Sequence, residues 1–365
     1  MEKTMIPSWL FYITPLLLSC LLAWFFTKLV RLIALHREIV DKPAPRKVHD
    51  KPVPLLGGLA VGGAILIAMI VLWPWLHDGV IVSKYLYGII IGLCLLLLGG
   101  YLDDVYNLRP WQQIIFPLLA SIIVVLSGIG IDYVTNPLGP GYWHFDQYKI
   151  LLLWYHGLPY YFTPLADIFT LLWLMGMVYV TKLLDGLDGL ASGIGVIGSL
   201  VIFIVSLTWD VAYSATSVLA LLTAGALLGF LWWNWHPAKI FLGEGGSTLV
   251  GFMLGILAII SGGKIATALL IMGIPILDVA WVIMRRLLVE RHSIAQADRQ
   301  HLHHRLLSVG LSHRGAVIFL FIITAGFGLM SIWQNTKGKI ITLLFLVVFM
   351  VFLAYSLVRR QERLK

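Results

Sequence analysis

Apolar residues fill this chain in long unbroken blocks, not in the one-faced or alternating patterns of a soluble fold. Blocks of roughly 20 residues recur from one end to the other, each long enough to cross a hydrocarbon core about 30 Å thick. A helix on every block predicts eleven spans, near 8–34, 55–76, 84–101, 111–131, 165–183, 189–208, 211–233, 247–261, 265–284, 315–333 and 340–358. The blocks lack the period-2 alternation of barrel strands, and only helices or closed barrels satisfy their own backbone in lipid. The expected class is therefore all-α: a polytopic membrane bundle forming a single domain over residues 1–365.

Composition agrees. Hydrophobic residues make up 59% of the chain and charged residues 12%, with a mean hydropathy of +0.91. A soluble chain of 365 residues has no interior large enough for that apolar fraction. The first block carries little positive charge before it and no small-residue cleavage site after it, so it reads as a retained span and not a cleaved signal. Cys20 and Cys94 lie inside apolar blocks and imply packing, with neither a disulfide framework nor a zinc site.

Charge orients the bundle. Of the 26 lysines and arginines, only Lys3, Lys84, Lys149, Lys264, Lys337 and Lys339 fall on one side of the predicted spans. The excess on the other side predicts an outer N-terminus and a cytoplasmic C-terminus. The formal charge of +8 then belongs mostly to the cytoplasmic face, where it suits membrane lipid headgroups and anionic substrates, not nucleic acid. The one long outer segment, Asp132 to Thr163, is rich in Trp and Tyr and reads as an interfacial aromatic hairpin or re-entrant cover.

Carboxylates gather on the cytoplasmic side. Asp103 and Asp104 close the third block, Asp185 and Asp188 follow the fifth within a Gly-Leu-Asp-Gly setting, and Glu244 sits between Gly243 and Gly245. Acids at a hydrocarbon boundary are expensive and tend to be functional, and flanking glycines allow close backbone approach. Such hard oxygen donors suit Mg²⁺ or Mn²⁺ bridged to phosphates. Two basic stretches share that side: Arg46-Lys47-Val48-His49-Asp50-Lys51, and Arg299 with His301, His303 and His304, followed by His313 and Arg314. The second has no cysteine to suggest zinc, and its arginines suit phosphate recognition. Cations and carboxylates together suit phosphoryl transfer, with one lipid and one water-soluble substrate meeting at the bilayer edge.

These residues, in this order, resemble the polyprenyl-phosphate N-acetylhexosamine-1-phosphate transferases, from about Arg46 to Arg314. The basic loop with Pro52, Pro54, Gly57 and Gly58, the Asp103-Asp104 pair, the Asp185 to Leu190 signature, Asn234 with Phe241 to Glu244, and His301-Leu302-His303-His304 each match a family motif. Arg305-Leu306-Leu307 is similar to the GlcNAc-1-phosphate branch.

The resemblance implies transfer of a sugar phosphate from a UDP-amino sugar, UDP-GlcNAc first, to undecaprenyl phosphate. Other UDP-amino sugars and UDP-MurNAc-pentapeptide are alternative donors. The implied catalytic set is Asp103, Asp104, Asp185 and Asp188, with Asp103 acting on the lipid phosphate. Asp103, Asp104 and Glu244 would hold Mg²⁺ or Mn²⁺. Phe241 would stack on uracil near Asn234, and Lys51, Lys182, Arg299, His301, His303 and His304 would bind substrate. Homodimers occur in the family. Three positions depart from its pattern: Glu244 replaces an Asp, Lys182 an Asn and Gln113 a Lys. Either Lys182 turns away from the ion, or its ammonium partly replaces the ion's charge. A transporter would carry its charges near the midplane on broken helices, and an inactive scaffold is suggested by the three departures alone.

Overall fold

A computed structural model describes residues 8–43, 51–77, 82–136, 139–155, 158–209, 214–262, 265–286 and 301–363. Fourteen helices run along the described chain: α1 (Ser8–His36), α2 (Gly57–Val71), α3 (Trp73–His77), α4 (Ser83–Tyr106), α5 (Pro110–Leu126), α6 (Pro164–Leu184), α7 (Leu190–Trp209), α8 (Ala215–Asn234), α9 (Gly243–Ile260), α10 (Ile265–Ile271), α11 (Gly273–Arg285), α12 (Leu302–Ser308), α13 (His313–Met330) and α14 (Thr336–Arg363). Each predicted span finds a helix. Eight are long and apolar enough to cross a membrane, and α10 with α11 makes a ninth if the bent pair is one span. The helices α2 and α5 are apolar but shorter.

Proline explains two of the departures from the predicted spans. The second was expected to reach 76, yet α2 ends at Val71 and α3 begins at Trp73. Pro74 has no N–H to give the Ile70 carbonyl, and its ring crowds that oxygen. The ninth was expected as one span over 265–284, but α10 and α11 meet at 74°, because Pro275 leaves the Ile271 carbonyl without its helical donor.

The chain is not wholly helical. Three two-stranded antiparallel ribbons are formed by β1 (Val40–Asp41) with β2 (Val53–Pro54), β3 (Tyr133–Thr135) with β4 (Tyr142–His144), and β5 (Ile150–Tyr155) with β6 (Leu158–Phe162). The last two make up the aromatic hairpin expected between Asp132 and Thr163.

The helices α8 and α9 form the centre of the bundle, each with 83% of its span buried, whereas α1 and α14 reach only 17% and 22%. Glycine lets the central helices close up. A Cβ at Gly58 of α2 would overlap the Gly246 backbone of α9, and one at Gly100 of α4 would overlap Gly245. Small residues at such crossings bring helix backbones into direct contact. These contacts hold the end of α4 and the starts of α2 and α9 together, so the acids beside those glycines meet in one place.

Candidate active site

The helix α4 runs past its predicted end, so Asp103 and Asp104 occupy its last turn and not a loop. Carboxylates at a helix C-terminus face the negative end of its dipole, and N–H donors from neighbouring elements compensate here. Asp104 accepts the Leu56 N–H at 3.2 Å and, through its other oxygen, the Glu244 N–H at 3.1 Å. Leu56 has φ +74°, a conformation a leucine rarely adopts. It is held there by Asp104 and by two backbone bonds, Gly57 N–H to Phe241 O at 3.1 Å and Gly58 N–H to Leu242 O at 2.7 Å. Asp104 thus joins α2, α4 and α9.

Asp103 accepts the Leu108 N–H at 3.0 Å and the Gln113 amide N–H at 2.8 Å on one oxygen. The Gln113 carbonyl oxygen in turn accepts from Lys182 Nζ at 2.8 Å, and Lys182 Nζ lies 2.5 Å from Glu244 Oε1. Asp103, Gln113, Lys182 and Glu244 therefore form one chain across α4, α5, α6 and α9. Lys182 thus faces Glu244 and Gln113 in this structure.

Beside this chain lies a cavity of about 670 Å³. Lys51, Asp185, Asp188, Asn234, Phe241 and His304 line it, along with Asp41, His236 and His313. Gly243 belongs to its wall and packs directly against the Asp104 carboxylate, so the cavity and the acidic chain share the Gly243–Glu244 backbone. Asp185 sits between them. Burial, then the charges of Glu244, Asp188 and Asp104, pushes its carboxyl up to about 7.

Several predicted ligands turn out to be held by the scaffold. Asn234, 3% exposed, accepts from the Gly189 N–H and the Ser192 hydroxyl, each at 3.0 Å, and donates to the Ile240 carbonyl at 3.0 Å. It positions the Asp185–Leu190 loop against the 237–243 loop. His301 faces Asp278 of α11 at 2.9 Å, and Asp278 also accepts the Leu302 N–H at 2.8 Å. His303 is buried against Gly186, where a Cβ would overlap its ring. Burial and the nearby His304, His301 and His313 hold it well below the ordinary imidazole range, hence neutral. Of the three motif histidines, only His304 lines the cavity. Arg299 lies outside the described residues, as do Arg46, Lys47 and His49.

The structure adds His236 and Asp278 to the site and places His313, at the end of the second basic stretch, against Asp188. His236 Nδ1 lies 2.6 Å from Asp188 Oδ2, the Asp188 N–H donates to His313 Nε2 at 3.0 Å, and the two rings stack at 3.9 Å. Among the described residues Asp188, His236 and His313 form a set close enough to hold a metal ion. Their facing atoms already bond to one another, however, so an ion would have to displace those bonds. His236 shares a six-residue segment with Asn234 and Lys239 but matches no quoted motif; its adjacency to Pro237 is the signal that could have singled it out.

The model of the family described as "Glycosyl transferase family 4" matches residues 86–262. The chain is similar to a protein of Bacillus subtilis described as a probable undecaprenyl-phosphate N-acetylglucosaminyl 1-phosphate transferase, with 30% identity over 347 residues, 93% of this chain and 90% of that protein. The chain belongs to glycosyl transferase family 4. Two further similar members are the decaprenyl-phosphate N-acetylglucosaminephosphotransferase of Mycolicibacterium smegmatis, 32% identical over 334 residues (84% of this chain, 78% of that one), and the undecaprenyl-phosphate alpha-N-acetylglucosaminyl 1-phosphate transferase of Escherichia coli K12, 26% identical over 353 residues (93% and 89%). As a member of this family the chain is a multi-pass membrane transferase.

Proposed function

We propose that this transferase moves GlcNAc-1-phosphate from UDP-GlcNAc to undecaprenyl phosphate at the cytoplasmic face of the plasma membrane, opening a cell-envelope glycan. A lipid phosphate oxygen attacks the sugar-bearing phosphorus. The bond from that phosphorus to UMP breaks, leaving undecaprenyl-diphosphate-GlcNAc and UMP. The observation that carries this reading is the 670 Å³ cavity lined by Lys51, Asp185, Asp188, Phe241 and His304, set at helix ends beside Asp103 and Glu244. It offers an aromatic face for a base, cations for a diphosphate, and carboxylates where a lipid headgroup can reach. Phe241 takes the uracil, Lys51, Arg299 and His304 take the phosphates, and Asp103 orients or deprotonates the lipid phosphate. Eleven crossings with the N-terminus outside would put every site-bearing helix end in the cytoplasm. A homodimer is part of this proposal.

Mg²⁺ or Mn²⁺ would need Asp103, Asp104 and Glu244 as ligands. Asp104 has an N–H on each oxygen and Glu244 carries the Lys182 ammonium, so Glu244 does not fit an ion as it stands. The test is to incubate purified protein in detergent with undecaprenyl phosphate and radiolabelled UDP-GlcNAc, following lipid-extractable label and UMP. Label that depends on both substrates and is lost in Asp103→Asn is expected. Label from a different UDP-amino sugar only would correct the donor, and none from any UDP-sugar would refute the reaction.

A further inference from the structure

Of the three positions that break the expected pattern, Lys182 touches both of the others, although they lie on α5, α6 and α9. Gln113 accepts from Lys182 at 2.8 Å, and Lys182 meets Glu244 at 2.5 Å. Against the pattern the resemblance implies, the positive charge expected at 113 stands at 182, where a neutral amide is expected, and a neutral amide stands at 113. The net charge of the pair is unchanged, but the ammonium has crossed to the carboxylate side. The extra methylene of Glu244 over Asp lengthens its reach toward Nζ.

We propose that the Lys182 ammonium is the resident cation of this carboxylate cluster and takes the seat of a divalent ion during turnover. Its surroundings are built for that role. The Lys182 and Glu244 side chains are 21% and 16% exposed, so their attraction is weakly screened. An ammonium has three donors; Glu244 and Gln113 each take one. The Gln113 amide then passes the polarisation on, its N–H groups donating to Asp103 Oδ1 at 2.8 Å and the Leu108 carbonyl at 3.1 Å. One cation thereby neutralises Glu244 directly and orients Asp103 through a neutral amide. A divalent ion on Glu244 would have to expel the ammonium or sit against it, and a like charge within about 4–6 Å shifts a neighbouring ionisation by one to three pH units.

The catalytic arm of the test rests on the transfer reaction proposed above; the ion-binding arm does not. The full-length protein in detergent is titrated with Mn²⁺ without nucleotide, and free Mn²⁺ is followed by electron paramagnetic resonance. Wild type is compared with Lys182→Asn and with the triple variant Gln113→Lys, Lys182→Asn, Glu244→Asp. Each is repeated with His236→Ala to subtract any ion held by Asp188, His236 and His313. Both variants should bind Mn²⁺ at least about tenfold more tightly than wild type, the low end of what one neighbouring charge does. Wild-type transfer should persist in EDTA, while the triple variant should require Mn²⁺. Wild type binding Mn²⁺ as tightly as Lys182→Asn would overturn the proposal, and so would EDTA abolishing wild-type transfer with Mn²⁺ restoring it. If Lys182→Asn unfolds at a lower temperature, Lys182→Gln and the triple variant carry the same comparison. The expected Mn²⁺ result without transfer from any UDP-sugar would support the resident cation and refute the reaction.

Discussion

Replacing Asp278 with alanine tests whether a residue outside the cavity sets the shape of its wall. One oxygen of Asp278 takes the Leu302 N–H at 2.8 Å and the other faces His301 Nδ1 at 2.9 Å. Hydrogen bonds to a charged group are worth about 1.5–3 kcal/mol each, so alanine removes about 3–6 kcal/mol of local anchoring. The loss falls on α12, a helix of seven residues too short to persist without packing. His304 of α12 lines the cavity. A loss of about 3 kcal/mol corresponds to roughly 150-fold in the docked population of α12. Amide hydrogen exchange across 301–308 should accelerate by about that factor, with KM for the UDP-sugar rising. Asp278→Asn, which keeps an acceptor for Leu302, should show the smaller share. Unchanged exchange and KM in Asp278→Ala, at wild-type thermal stability, would refute the anchoring role.

Asp185, pushed up to about 7, binds its proton more tightly folded than unfolded. Its contribution therefore stabilises the protein below about pH 4 and is lost as pH rises from 4 through 7. Thermal unfolding in detergent across that range should show a slope that Asp185→Asn flattens, and transfer that needs the carboxylate should rise through pH 7. Gly58→Ala places a methyl on the Gly246 backbone and should cost about 1–3 kcal/mol by overpacking, read as a lower unfolding temperature. Phe241→Ala should raise KM for the UDP-sugar by about five- to 150-fold, from a base-stacking loss of roughly 1–3 kcal/mol, with the unfolding temperature unchanged.

The apolar blocks were legible because a bilayer demands about 20 such residues whatever their partners. Every predicted span therefore met a helix, but α2 and α5 are shorter than the blocks suggest, and Pro74 and Pro275 interrupt two of the spans. The acids could be grouped because glycines flanked them; Gly100 against Gly245 and Gly58 against Gly246 are the physical reason for that pattern. The partners of those acids were not legible. Lys182 and Gln113 are 69 positions apart, and nothing along the chain marks that α5 and α6 bring them together. Asp278 lies inside the ninth block, and nothing along the chain marks His301 as its partner. Likewise His301, His303 and His304 read as one phosphate-binding group, because a short helix offers no periodicity long enough to say which ring faces inward. The helix separates them into an anchored, a buried and a cavity-facing histidine.

The β5–β6 ribbon has a bearing on how the molecule sits in its surroundings. Successive residues of a strand point to opposite faces, yet Ile150, Leu151, Leu152, Leu153 and Trp154 are all exposed, with the register slipping between Leu151 and Leu153. A ribbon with one oily side would lie down on the bundle; this one is oily on both. Water is a poor neighbour for either side, and acyl chains alone would strand the open strand edges. The headgroup layer, which offers hydrocarbon and hydrogen bonds within a few ångströms, suits both needs. Under the proposed topology the ribbon would act as a float, fixing how deeply the protein rides and, with it, the height at which a lipid phosphate would meet the carboxylates on the opposite face.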